Sequence, residues 1–137
     1  MEQQAHFIVD RMYNNDPFSQ WLGIERLEEK PGYCRLAMTV RKEMLNGFGL
    51  AHGGITYSIA DSALAFASNA RGRHALSVET SISHMAPLKA GDRITAEAKE
   101  IQLGHRIGIY QVEIRNEEGS LVALFKGTVY RKSQTWA

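Results

Sequence analysis

The sequence predicts an α+β fold in which a curved antiparallel β-sheet wraps one long central helix. Two observations predict it. Ile55 to Asn69 runs without a Gly or Pro, and Ile55, Ile59, Ala63 and Phe66 recur at spacings of three and four, the period of a helix. After it come alternating stretches joined by short turns, and strands joined that way are antiparallel neighbours. A helix with so little polar surface is buried nearly all round, so helix and sheet form two layers of one core.

Taken in order, residues 3–14 carry Phe7, Ile8, Arg11 and Met12 at helical spacing, which predicts a short amphipathic N-terminal helix across a surface. Asn14-Asn15-Asp16-Pro17 ends or redirects it. Phe18, Trp21 and Leu22 read as an anchor, and Gly23 to Glu29 as an edge strand turning at Lys30-Pro31-Gly32. From Tyr33, Cys34, Leu36, Met38 and Val40 alternate with Arg35, Ala37, Thr39 and Arg41, a half-buried strand. After the break at Arg71-Gly72-Arg73, Leu76, Val78, Thr80 and Ile82 alternate with Ser77, Glu79, Ser81 and Ser83. Pro87 to Asp92 connects to Ile94, Ala96 and Ala98; Leu103-Gly104-His105 turns into Ile107 to Arg115, and Asn116-Glu117-Glu118-Gly119 into Leu121 to Arg131.

The 137 residues, 44% of them hydrophobic, suit one domain, 1–137, with its own core. A net charge of +1 without a basic stripe gives no reason to expect nucleic acid. The start, Met1-Glu2-Gln3-Gln4-Ala5-His6, lacks the pattern of a signal peptide, and the longest apolar stretch is too short to span a membrane; the expected location is cytoplasmic. Cys34, the one cysteine, fits a reducing compartment and a place in the core. The five histidines form neither an HxH nor an HxxxH pair, so no metal site is expected. There is no Gly-x-Ser-x-Gly elbow and no Walker-type phosphate loop. Lys89, Arg71, Arg73 and Arg106 read singly as solvated loop charges, some of them within reach of the phosphates of a bulky thiol carrier.

Between Glu43 and Arg71 the one formal charge is Asp61, set within the apolar run. An unpaired carboxylate in an apolar interior costs several kcal/mol, so it faces a cavity or finds donors, for which Ser58, Ser62 and Ser68 are near enough in sequence. His52-Gly53-Gly54 opens the helix. Residues without bulky side chains there admit a ligand, and the first N–H groups carry the positive end of the helix dipole. Such amides suit an oxyanion, and a carboxylate opposite suits activation of water or direct attack; together they suggest hydrolysis of an activated acyl group. Asp61 lies eight residues after Gly53, about 12 Å along the axis. If both act on one substrate atom they belong to different subunits, and two such helices packed antiparallel about a two-fold make two equivalent sites.

The run Asn46-Gly47 … His52-Gly53-Gly54 … Ala60-Asp61, then Ala86-Pro87 … Gly91-Asp92, Ile109-Tyr110-Gln111-Val112-Glu113-Ile114 and Val122-Ala123-Leu124-Phe125-Lys126-Gly127, resembles the hot-dog-fold acyl-CoA thioesterases of the phenylacetic acid degradation type, the PaaI family. The similarity spans about Phe18 to Arg131. It implies that the Gly53 amide polarises the thioester carbonyl with help from the Asn46 side chain, that His52 shapes the site, and that Asp61 of the partner subunit is nucleophile or general base. It places Gly54 and Phe48 beside the substrate, and Ser77 at a position that orients water in some relatives. Phe48 departs from the pattern, since close relatives often carry histidine there. The resemblance further implies an acyl-CoA substrate with an aromatic, aryl-acetyl type of acyl group, no cofactor, and a homotetramer built from two hot-dog dimers. The competing expectations are a hydratase or dehydratase of the same fold, which needs a histidine and a carboxylate poised for proton transfer, and a non-catalytic acyl-CoA sensor.

Overall fold

The computed structural model describes residues 1–136. Helices α1 (Glu2–Asn14) and α2 (Pro17–Leu22) lead into strands β1 (Glu25–Lys30) and β2 (Tyr33–Thr39); a 3-10 turn, Lys42–Met44, precedes the long helix α3 (Gly53–Asn69), and β3 (Arg73–His84), β4 (Arg93–Leu103), β5 (Ile107–Arg115) and β6 (Leu121–Thr135) follow. The six strands form one sheet in the order β1-β2-β4-β5-β6-β3, every neighbouring pair antiparallel. This is the hot-dog arrangement.

The core lies between α3 and the sheet. Ile59, Ala63, Leu64 and Phe66 of the helix meet Leu36, Met38, Ile94, Val112, Ile114 and Phe125, all buried. Each large apolar side chain hidden there is worth about 1.5–3 kcal/mol. Cys34 is in this core too, and burial pushes its thiol well above the ordinary range. Helix and sheet approach closely at Gly127 on β6, where an added Cβ would stand 2.5 Å from Leu64 Cδ2. Leu64 is 1% exposed, and its side chain would have to leave its packed position to admit the methyl group. Gly127→Ala is therefore expected to destabilise the chain by about 1–3 kcal/mol through overpacking, read as a lowered midpoint of denaturant unfolding.

The two N-terminal helices differ from the sequence expectation in informative ways. The face that α1 buries is Ala5, Ile8 and Val9; Phe7 stays outside, with the Arg11 guanidinium 5.8 Å from its ring centre. Asp16-Pro17 ends α1 and also begins α2: the Asp16 carboxylate accepts from the Ser19 N–H at 3.0 Å and Pro17 takes the first helical turn, a strong start signal. Of the expected anchor only Leu22 is buried. Phe18 and Trp21 are about half exposed and stacked on each other, centroids 6.1 Å apart.

Two surfaces of the protomer are open where burial was expected. On α3, Gly54 is exposed and Ser58, Asp61 and Ala65 along the same stripe are only partly covered. On β3, Leu76 and Val78 are 61% and 62% exposed, at the sheet edge. Alternation alone puts Leu76 and Val78 on the face of Ile82, but the pairing with β6 shifts register between Ser77 and Glu79, so Ile82 packs against the core while Leu76 and Val78 stay outside.

Candidate active site

The open end of α3 is organised by Asn46. Its side-chain oxygen accepts from the backbone N–H of Phe48 at 2.9 Å and of Leu50 at 3.2 Å, while its own backbone N–H donates to Leu50 O at 2.7 Å. The loop closes with Gly49 at φ +76°, a value glycine adopts without strain. This spends the Asn46 oxygen on the loop; among the described residues the side-chain NH₂ donates to none. The chain then returns through His52, whose N–H donates to Met44 O at 2.9 Å. His52 is the N-cap without a side-chain capping bond, so the Gly53 and Gly54 N–H groups find no acceptor among the described residues. Asn46 and Gly53 line one cavity of about 300 Å³.

Thr56 and His84 line the same cavity. The Thr56 hydroxyl donates to Gly53 O at 3.1 Å and lies 3.3 Å from His84 Nδ1. Sequence spacing alone counts His84 only among possible metal ligands. Its position two residues before Ala86-Pro87 is visible there, but no spacing rule joins the end of β3 to the start of α3.

Asp61 lies in a different cavity, of about 350 Å³, together with Ser77. Its carboxylate accepts no hydrogen bond among the described residues. The serines near it in sequence are engaged elsewhere: Ser58 with Gly54 O at 2.6 Å, Ser62 with the Ser19 hydroxyl at 2.8 Å, and Ser68 with Leu64 O at 2.8 Å. Burial first, and the negative charge of Asp16 second, raise the Asp61 carboxyl above the ordinary aspartate value. An incompletely satisfied carboxylate of raised basicity, facing a cavity, suits proton abstraction.

His52 and Gly54 face a third, apolar hollow of about 340 Å³ with Phe18, Trp21, Ile55 and Ser58. Phe48 is 88% exposed and lines none of these three cavities. The candidate residues thus fall into groups within one protomer: Asn46 with Gly53, His52 with Gly54, and Asp61 with Ser77. Gly53 and Asp61 sit about 12 Å apart along the helix axis, as the rise per residue requires. Of the basic candidates, Arg71 is paired with Glu100 at 2.8 Å, Arg73 donates to Lys132 O and Arg131 O, and Arg106 donates to the Tyr130 hydroxyl. Lys89 makes no ion pair among the described residues. In the described residues no helix is long and apolar enough to cross a membrane.

A sheet wrapped on one helix, with free amides at the helix entrance and a carboxylate along it, defines a class. The chain belongs to the thioesterase superfamily, whose family model matches residues 48–123, and within it to the hot-dog-fold PaaI family. It is 39% identical over 129 residues to the acyl-coenzyme A thioesterase PaaI of Escherichia coli, covering 94% of this chain and 89% of that protein. The solved structure of E. coli PaaI superposes with a TM-score of 0.95 at 36% identity, over 98% of this chain and 97% of that one. The phenylacetic acid degradation protein PaaI of Thermus thermophilus, solved as a point variant, is 45% identical with a TM-score of 0.82, over 85% of this chain and all 100% of that one. Human acyl-coenzyme A thioesterase 13 is 30% identical over 127 residues, 90% of this chain and 91% of that protein.

Proposed function

We propose that this protein is a cytoplasmic acyl-CoA thioesterase, a single hot-dog domain with a short N-terminal helix, that releases free acid and CoA and prefers aromatic, aryl-acetyl type acyl groups. The observation that carries the reading is the division of one helix into an entrance with free amides and a distant, unsatisfied carboxylate. In the catalytic unit, the Gly53 N–H and the Asn46 side-chain NH₂ of one subunit hold the thioester carbonyl oxygen. Asp61 of the partner subunit takes a proton from a water that the Ser77 hydroxyl orients. The water oxygen bonds to the carbonyl carbon, the oxyanion is held by the amides, and its collapse breaks the C–S bond and expels the thiolate. Gly54 keeps the entrance open to the substrate, while His52 and Phe48 shape its rim.

Two features of the protomer support a homo-oligomer. The partly covered α3 stripe of Gly54, Ser58, Asp61 and Ala65 carries small side chains at helical spacing, which lets a second helix approach closely. A twelve-residue edge strand with exposed Leu76 and Val78 is a template for pairing with another chain. A two-fold through both brings Asp61 of one copy toward Gly53 of the other, and two such dimers make the tetramer. The aryl-acetyl preference is supported by the names of the E. coli and Thermus relatives, which place those proteins in phenylacetic acid degradation.

Only ionised Asp61 accepts the water proton, so kcat/KM is expected to fall toward acid with a midpoint above the ordinary aspartate value of 3.8. Asp16→Asn, which keeps a capping side chain but removes the neighbouring charge, should move that midpoint to lower pH. A pH–rate profile of both proteins checks this. The function itself is tested by following free thiol release from a panel of aryl-acetyl, benzoyl and straight-chain acyl-CoA thioesters. Release that is fastest with aryl-acetyl thioesters is expected, and no release from any thioester would contradict the reading. His84 beside Gly53 gives the hydratase alternative its one structural footing; loss of enoyl-thioester absorbance without thiol release would favour it.

A further inference from the structure

The cavity that holds Asp61 is a groove running along α3 from Asp61 past Ala65 and Ser68 to Asn69, with β3 as its other wall. Eight residues of helix make it about 12 Å long. Its far end is closed by Trp136, just beyond β6, which lines the same cavity. That indole is held from several sides. Its Nε1–H donates to Asn69 Oδ1 at 3.0 Å, the His74 ring stacks on it at 4.2 Å, and the Arg11 guanidinium lies 5.6 Å from its ring centre. Its backbone is fixed as well, the N–H donating to Gly72 O at 3.0 Å and the carbonyl accepting from Arg11 Nη1 at 3.2 Å.

Asn69 makes this end wall rigid. It is 3% exposed; its NH₂ donates to Ala65 O at 2.8 Å and Ala75 O at 3.0 Å, and its oxygen also accepts from Ala75 N–H at 3.0 Å. The residue therefore ties the end of α3 to β3 and presents its oxygen to the indole, leaving Trp136 no free swing. At about 350 Å³ the groove is in the size range of small-ligand sites; Leu64, Ala65, Ala75 and Val129 give it a mostly apolar lining, with Ser68 and Lys132 also on its wall, Asp61 and Ser77 at one end and a flat aromatic surface at the other.

We infer that Trp136 is a specificity-determining residue: it is the end wall of the acyl pocket and sets the length of the acyl group that can reach past Asp61. This rests on the thioesterase reading above. A compact acyl group, or one ending in an aromatic ring that stacks on the indole, fits between Asp61 and Trp136. A long alkyl chain meets the ring and cannot place its carbonyl at Asp61.

The test compares kcat/KM for dodecanoyl-CoA and hexanoyl-CoA in the wild type, Trp136→Ala and Trp136→Phe. Because both substrates are measured on the same preparation, the ratio does not depend on the folded fraction of a variant. Trp136→Ala is expected to raise the dodecanoyl to hexanoyl ratio at least about tenfold, the scale on which pocket length discriminates alkyl groups, with Trp136→Phe in between. If Trp136→Ala yields no folded protein, the Trp136→Phe ratio decides alone: a rise supports the inference and an unmoved ratio overturns it. A lowered melting temperature with an unmoved ratio means that Trp136 only fastens β6 to α1 and α3, and a shifted subunit equilibrium with an unmoved ratio assigns the groove to subunit packing; either overturns the inference while the thioesterase reading stands. A wild type that hydrolyses no member of the panel overturns both.

Discussion

Asp61→Ala is expected to lower kcat/KM for the preferred thioester by at least about a hundredfold, as for loss of a group that moves a proton in the transition state. The same substitution should not cost stability. Burial and Asp16 raise the Asp61 carboxyl in the folded chain, so the folded state favours its protonated form. That contribution is fully present below the ordinary aspartate value and is lost as pH rises through the raised one. At neutral pH the ionised group is a burden on the fold, and Asp61→Asn is expected to raise the melting temperature while abolishing most activity. A carboxylate kept at a cost to stability belongs to chemistry rather than to packing. Rate assays and thermal unfolding on the same variants check both halves; a hundredfold loss accompanied by unfolding would leave the role of Asp61 structural.

The second large effect is expected at the helix entrance, and the local geometry permits a clean substitution. Gly53 is the first residue of α3, after His52 at φ −59° and ψ 139°. Proline is well tolerated at the first helical position, where its missing N–H has no intrahelical partner, and the backbone of His52 already has the extended form that a following proline requires. Gly53→Pro thus removes one N–H and leaves the helix in place. If that N–H holds the oxyanion, the loss is on the order of a hundredfold to a thousandfold in kcat, or about 3 kcal/mol in the barrier. Gly53→Ala keeps the N–H, and its Cβ would meet His84 Nε2 at 3.4 Å, an ordinary contact; it should lose much less. Equal losses in the proline and alanine variants would attribute the effect to crowding at the entrance.

What the sequence made legible follows from where information is local. The helix α3 was readable because its apolar residues hold one period over many turns, and β4, β5 and β6 because alternation and short Gly-containing turns mark strands and their antiparallel neighbours within a short window. Helix α2 was not readable: a six-residue helix has too little periodicity, and Asp16-Pro17 is equally a stop for one helix and a start for the next. The outward face of Leu76 and Val78, against the inward face of Ile82, follows from the register shift between Ser77 and Glu79 in the pairing with β6, which alternation within β3 does not reveal. The pairing of His84 with Thr56, and of Trp136 with Asn69, joins residues 28 and 67 positions apart, and only the folded chain brings them together. Asp61 and Gly53 stood out as candidates because a lone charge in an apolar run and a glycine pair before a helix are local anomalies, and their separation on one helix is fixed by its rise alone.

In the proposed mechanism each site takes its amides from one subunit and its carboxylate from another. The most direct measurement mixes Asp61→Ala with Gly53→Pro in equal amounts under conditions that dissociate and reassociate the subunits. Random reassociation makes half the dimers mixed, and each mixed dimer holds one intact site of its two, so activity should return to about a quarter of the wild-type value from two nearly inactive parents. A mixture that exchanges subunits and is no more active than the average of its parents would contradict the shared site.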